Sequence, residues 1–182
     1  EEYRLTTFCA PPTIYRFLIK EGLERYDLSS LKYVTTAGEA LNPEVFKQFE
    51  QKTGLRIHEA YGQTETTVLM GNFVGAPVEK VGSLGKAGPL YDVDIVGEDG
   101  QPLPPGEVGE IVVRTPDGVH PIGMFQKYYE GGGENAARTE DVWHDGLYHT
   151  CDTAWKDEDG FFWYVGRTDD VIKSSGYRIG PF

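Results

Sequence analysis

Cysteine is scarce in this 182-residue chain: Cys9 and Cys151 are its only two. Two thiols so far apart build no disulfide framework, which excludes the small disulfide-stapled secreted class and makes a reducing cytoplasm the expected location. Positive charge is also in short supply. Against 29 acidic residues stand 17 lysines and arginines, a formal charge of −12, with a pI near 4.7. A nucleic-acid backbone or an anionic membrane surface demands clustered basic residues, so neither is expected as the main partner. Long apolar runs are missing too. None reaches the roughly 20 residues of a membrane span, and Glu1-Glu2-Tyr3-Arg4 does not open a signal peptide. What remains is 39% hydrophobic and 13% aromatic, ordinary for a folded chain with one good core or two small ones.

Apolar periodicity organises the first part of the chain. From Pro12 the spacing of Ile14, Phe17 and Leu18 predicts an amphipathic helix ended by Gly22, and Leu31 to Thr36 reads as a strand. Asn42 is placed to cap a second helix with Pro43 in its first turn, where a missing N–H costs nothing. Val45, Phe46 and Phe49 form its expected buried stripe, Gly54 its C-terminal turn, and Leu55 to Ala60 the next strand. A strand-helix-strand crossover makes the two strands parallel. Gly38-Glu39 and Tyr61 to Glu65 are therefore expected at the carboxyl edge of one sheet, where open α/β folds bind ligands.

After about Gly75 the pattern changes to short alternating segments, such as Val93 to Val96 and Glu110 to Arg114, separated by Gly and Pro turns. Asp157-Glu158-Asp159-Gly160 reads as a hairpin turn between Thr153-Ala154-Trp155 and Phe161 to Val165. Arg167 to Asp170 then places four polar residues between apolar strands, as a linker between rigid bodies does. The expected class is α/β plus β: an α/β portion over 1–74, an antiparallel β subdomain over 75–166, and a hinge with the start of a truncated further domain over 167–182. Both ends look cut.

Tyr61-Gly62-Gln63-Thr64-Glu65-Thr66 puts a ring, hydroxyls and a carboxylate in one loop after a short apolar strand, as a nucleotide phosphate and its metal need. Two more blocks stand in order with it: Ala37-Gly38-Glu39-Ala40-Leu41-Asn42 upstream, and the run from Gly166-Arg167-Thr168-Asp169-Asp170 to Ser174-Ser175-Gly176-Tyr177-Arg178 at the end. Together they resemble the adenylate-forming superfamily, the acyl-CoA synthetases and their relatives, over nearly the whole chain. Asp169 to Phe182 is most similar to medium-chain acyl-CoA synthetases and acetyl-CoA-synthetase-like bacterial ligases. The resemblance implies part of a nucleotide-binding α/β layer, a β-barrel-like subdomain and the start of a C-terminal lid. It also implies an acid:CoA ligase that makes an acyl-adenylate and pyrophosphate from ATP, then an acyl-CoA and AMP. ATP or AMP, Mg2+ and coenzyme A are the implied cofactors and co-substrates, and a small carboxylic acid is the implied partner. Oligomeric state, homo-oligomer included, stays open.

The same resemblance implies roles for single residues. Gly38, Glu39 and Ala40 lie along the adenine through their backbone, and Tyr61 packs on it. Gly62 and Gln63 complete the nucleotide loop, Thr64 bonds the α-phosphate, and Glu65 helps hold magnesium, a hard cation suited to oxygen ligands. Asp152, in Tyr148-His149-Thr150-Cys151-Asp152, accepts both ribose hydroxyls. Arg167 bonds ribose or phosphate, Asp169 is the hinge, Arg178 meets the phosphates, and Ser175-Gly176 lines the pantetheine tunnel. Thr64, Glu65 and Arg178 are the expected catalytic groups. Gly62 stands where acetate-specific relatives look as if they carry Trp, leaving room for a longer or aromatic acid. Cys151 departs from the family's glycine; if the backbone there needs positive φ, its Cβ costs on the order of 1–2 kcal/mol.

Plainer readings stand beside these. Tyr61 to Thr66 alone would be a polar turn, Gly38-Glu39-Ala40 a strand-to-helix turn favouring an acid near a helix N-terminus, and Arg167 a surface partner of Asp169 or Asp170. His144, His149 and Cys151 lack a fourth ligand for zinc. Gly82 to Lys86 fails as a Walker loop, with Lys80 where the first Gly belongs and Ala87 where Ser or Thr should follow. A carrier-protein-loading adenylation domain and a non-catalytic adenylate-binding module remain alternatives. A Ser/Thr/Gly-rich phosphate loop is expected upstream and an adenylation lysine downstream, so the 182 residues alone are expected not to turn over.

Overall fold

A computed structural model describes residues 2–73 and 80–168, with the backbone of short strands at 172–174 and 177–179. Strand β1 (Thr7–Cys9), helix α1 (Pro12–Glu21), strand β2 (Tyr33–Thr36), helix α2 (Pro43–Thr53) and strand β3 (Ile57–Gly62) follow in order. The three strands are adjacent and parallel. Asn42 caps α2 by accepting the Glu44 N–H, and Gly54 closes it at φ 72° with its own N–H on Glu50 O. Val45, Phe46 and Phe49 pack in one core with Tyr15, Ile19, Val34 and Ile57.

Helix α1 has the expected span and ends at Gly22, but a different face looks inward. Pro12, Tyr15 and Ile19 are buried, while Phe17 is 60% exposed. Tyr15 turns the helix: its hydroxyl donates to Thr35 O at 2.7 Å, and its ring meets Phe49 edge-on. Apolar residues surround this helix on several sides, so spacing alone does not choose among faces. β2 starts later than expected because the Leu31 N–H closes a turn on Leu28 O.

The first sheet continues antiparallel through β4 (Val68–Gly71) and β5 (Lys86–Ala87). It thus runs past Gly75, where the sequence pattern changes. β6 (Val93–Val96) and β7 (Val108–Arg114) begin a second, antiparallel sheet. The hairpin β8 (Tyr128–Glu130) and β9 (Gly133–Asn135) leads into the short helix α3 (Ala136–Glu140). β10 (Trp143–His144), the long β11 (Leu147–Lys156) and β12 (Phe162–Arg167) complete the second sheet, with β11 at its centre. β13 (Ile172–Ser174) and β14 (Tyr177–Ile179) form a hairpin of their own. Tyr61, Leu69 and Met70 of the first sheet share a core with Ile95, Ile111, Tyr148 and Phe162 of the second. The α/β-plus-β class expected above is the one found. Among the described residues no helix is long and apolar enough to cross a membrane.

Candidate functional site

The loops leaving β2 and β3 open on one cleft of about 910 Å3, lined by Ala37, Gly38 and Glu39 and by Gly62, Gln63, Thr64 and Glu65. The parallel crossover makes this meeting unavoidable, because both chains leave the sheet at the same edge. Thr150, Cys151 and Arg167 from β11 and β12, with Tyr128 and Arg138, line the cleft too. Ala40 does not.

A register shift between Tyr61 and Gly62 bends the end of β3. A Cβ on Gly62 would lie 2.0 Å from Thr67 O, so glycine has a backbone reason here, separate from any pocket it opens. The loop beyond closes on itself: the Gln63 N–H donates to Thr66 Oγ1 at 2.9 Å, and that hydroxyl donates to Thr67 O at 2.9 Å. Thr64 and Glu65 are thereby held facing the cleft. Glu65 Oε1 accepts the Tyr128 hydroxyl at 3.0 Å. Burial, then this hydrogen bond, pushes the Tyr128 phenol up to about 12. On the other loop, Gly38 takes φ 89°, and Glu39 Oε2 accepts the Thr13 hydroxyl at 3.1 Å. Thr13 belongs to the first turn of α1, so this hydrogen bond ties the loop after β2 to that helix.

Asp152 is wholly buried and is engaged by the protein itself. Its Oδ2 accepts the Tyr61 hydroxyl at 2.8 Å and Gln63 Nε2 at 2.7 Å. Its Oδ1 faces the Tyr164 hydroxyl at 3.3 Å and Arg167 Nη1 at 3.4 Å. Both oxygens are occupied, and neither Asp152 nor Tyr61 lines the cleft. Tyr61 sits in the shared core; burial first, and then the Asp152 charge, raise its phenol well above the ordinary tyrosine range. The Gln63 amide bridges the two sheets: it donates to Thr150 O at 2.8 Å and accepts the Tyr148 hydroxyl at 2.8 Å. Nothing in the sequence marks Gln63 or Tyr128 for these parts beyond the proximity of Gln63 to Thr64.

Cys151 adopts φ 56°, the positive value that its replacement of glycine put in question. It lies in the bulge of β11 where the register against β7 shifts between His149 and Thr153. Glu110 braces that bulge, its Oε1 accepting the Cys151 N–H at 2.8 Å and its Oε2 meeting His149 Nδ1 at 2.9 Å. His144 and His149 stack at 3.9 Å. Among the described residues no group of three His, Cys, Asp or Glu side chains is placed to hold a metal ion. Asp169, Ser175 and Gly176 lie outside the described residues, as does the side chain of Arg178, whose backbone pairs with Lys173 in the last hairpin.

A cleft built from two loops at the carboxyl edge of a parallel α/β layer, with an antiparallel sheet on its other side, places the chain in the class of α/β folds that bind ligands at the sheet edge. The chain belongs to the AMP-binding enzyme family, whose description matches residues 1–129. It is 47% identical over 182 residues to the acyl-coenzyme A synthetase ACSM3, mitochondrial, of Rattus norvegicus, covering 100% of this chain and 30% of that protein. The crystal structure of a Brucella canis acyl-CoA synthetase superposes with a TM-score of 0.76 at 38% identity, over 99% of this chain and 32% of that one. The o-succinylbenzoate coenzyme A synthetase (MenE) of Bacillus subtilis, solved with ATP and a magnesium ion, gives a TM-score of 0.76 at 25% identity, over 99% and 35% of the two chains. The chain thus spans about 30% of the length of the curated relatives it matches.

These relatives correct the cytoplasmic expectation, since ACSM3 and its paralogue ACSM5 are both named mitochondrial. Separated cysteines argue for a reducing compartment, and that argument does not distinguish the cytoplasm from the mitochondrial matrix.

Proposed function

We propose that this chain supplies nucleotide contacts of an ATP-dependent carboxylic acid:CoA ligase that acts on a medium-chain or aromatic acid rather than acetate, in mitochondria, for which its relatives ACSM3 and ACSM5 are named. The observation that carries the reading is the convergence of Gly38-Glu39, Thr64-Glu65 and Arg167 on one cleft in a chain of this family. Gly62 lines the same cleft, and the resemblance by which acetate-specific relatives carry a bulky Trp at this position supports an acid larger than acetate.

A carboxylate is already a nucleophile, so its attack on the α-phosphate of ATP needs no general base. Positioning and charge neutralisation carry the catalysis. The backbone of Gly38 to Glu39 lies against the base, the Thr64 hydroxyl donates to the α-phosphate, and Arg167 meets ribose or phosphate. Glu65 fits magnesium in chemistry: it is a cleft-lining carboxylate with one oxygen taken by Tyr128. Bound there, the ion supplies positive charge to phosphate oxygens. Asp152 serves first as the organiser of Tyr61, Gln63 and Arg167, and takes ribose hydroxyls only by exchanging those partners.

The test is acid-dependent ATP–pyrophosphate exchange by the full-length protein with acetate, butyrate, octanoate, benzoate and phenylacetate, followed by addition of free CoA. Exchange with a larger acid and acyl-CoA formation are expected. Exchange that free CoA does not discharge would assign the protein to carrier loading; no exchange with any acid would leave a binding module. The 182 residues alone are proposed to be inactive in the same assay.

A further inference from the structure

Arg138 is the cleft cation that the chemistry above leaves unused. Its guanidinium carbon lies 4.3 Å from the centre of the Tyr128 ring. The hydroxyl of that ring donates to Glu65 Oε1 at 3.0 Å, and all three side chains line the one cleft. The backbone under Arg138 is held in place: its N–H donates to Asn135 Oδ1 at 3.0 Å, and the Tyr128 N–H donates to Thr139 Oγ1 at 3.0 Å, which ties α3 to β8. A guanidinium stacked on a ring spends its face and leaves its N–H edge for acceptors. Among the described residues Arg138 forms no ion pair, whereas Arg167, the other cleft cation, is joined to Asp152. The remaining charged groups lining the cleft are the carboxylates Glu39, Glu65 and Asp141. An anionic substrate entering here meets three negative side chains, and a planar cation beside Glu65 that forms no ion pair among the described residues adds a charged donor to Thr64 and Arg167.

We propose that Arg138 binds the phosphate oxygens of a substrate in this cleft, through its N–H edge, with Tyr128 setting its orientation. The proposal rests on the ligase reading. Two substrates of that reaction carry such oxygens, the nucleotide with its pyrophosphate product and coenzyme A, and the two half-reactions separate them. Pyrophosphate exchange runs without CoA, and thioester formation from preformed acyl-adenylate runs without ATP.

The experiment compares the full-length protein with Arg138→Gln and Arg138→Lys. It reads the KM for pyrophosphate and for the acid in exchange, the KM for CoA in thioester formation, ATP binding by calorimetry, and the melting temperature. Loss of a charge-assisted contact is expected to raise the pyrophosphate KM about tenfold in Arg138→Gln, with partial recovery in Arg138→Lys. The acid KM and the melting temperature should hold. A rise confined to the CoA KM supports the phosphate site and assigns it to CoA. Unchanged pyrophosphate and CoA KM values overturn it, and a lowered melting temperature alongside them leaves Arg138 only its stack on Tyr128. If the unsubstituted protein shows no exchange, the ligase reading fails by itself; calorimetry with ATP then still decides whether Arg138 holds phosphate.

Discussion

The Tyr61 hydroxyl donates to Asp152 Oδ2 at 2.8 Å, joining residues 91 positions apart in the sequence. With Gln63, Tyr164 and Arg167 on the same carboxylate, this buried acid fastens the loop after β3 to β11 and β12. Asp152→Asn removes the charge and turns an amide N–H2 toward groups that donate. It should destabilise by about 3 kcal/mol, as breaking a buried charged pair does. Tyr61→Phe loses one neutral donor and should cost about 1 kcal/mol. Urea denaturation of both variants checks the order; a milder Asp152→Asn than Tyr61→Phe would place the binding energy of this network elsewhere.

Cys151 pays for its φ of 56° with a Cβ where glycine has none. Cys151→Gly should therefore stabilise by about 1 kcal/mol, the relief of left-handed strain less the entropy that glycine adds to the unfolded chain. The Glu110 contact to its N–H is backbone-directed and survives. A thermal melt reads the gain. A variant less stable than the parent would mean that the thiol's packing outweighs the strain.

Glu59 on β3 holds the segment that follows the first cleft loop, through the Leu41 N–H, and makes stability depend on pH. Burial pushes its carboxyl up to about 7, against the smaller pull of the Leu41 N–H that it accepts at 3.0 Å. Because its folded pKa lies above the ordinary 4.5, the folded state binds the proton more tightly. Its contribution is complete below the unfolded pKa and is lost as pH rises through the folded one. The loss is on the order of 3 kcal/mol. Glu59→Gln keeps an acceptor for Leu41 and removes the titration. Relative to the parent it should gain stability between about pH 5 and about pH 8, as read by urea denaturation at the two ends. A difference independent of pH would show that Glu59 ionises in the folded protein as an exposed acid does.

Much of this architecture is legible in short-range chemistry. Asn42-Pro43 and Gly54 delimit α2 because caps act within four residues, and the crossover then places Gly38 and Thr64 at one edge. The inward face of α1 is not legible, since Tyr15 is chosen by Thr35 and Phe49 across the core. Nor is the engagement of Asp152: a Thr-Cys-Asp block signals an acid in a bulge, but its donors lie in Tyr61, Gln63, Tyr164 and Arg167, brought together only by the two sheets. The cleft position of Arg138 is illegible for a related reason. It depends on a hairpin and a five-residue helix that no periodic pattern announces.

Gly62 separates two explanations of one residue. If its only part is to keep an acyl pocket open, Gly62→Ala adds one methyl group and should trim activity with the largest acids while sparing acetate and butyrate. The Cβ, however, would meet Thr67 O at 2.0 Å, and backbone cannot turn aside as a flexible side chain does. The loop from Gly62 to Thr67 must move, taking Thr64 and Glu65 with it. A rigid overlap of this kind costs about 2 kcal/mol or more, and misplaced phosphate contacts lower turnover for every acid alike. Gly62→Ala in the full-length protein is therefore expected to reduce pyrophosphate exchange with all five acids together and to raise the KM for ATP. A loss graded by acid size, with the KM for ATP unchanged, would return Gly62 to the acyl pocket.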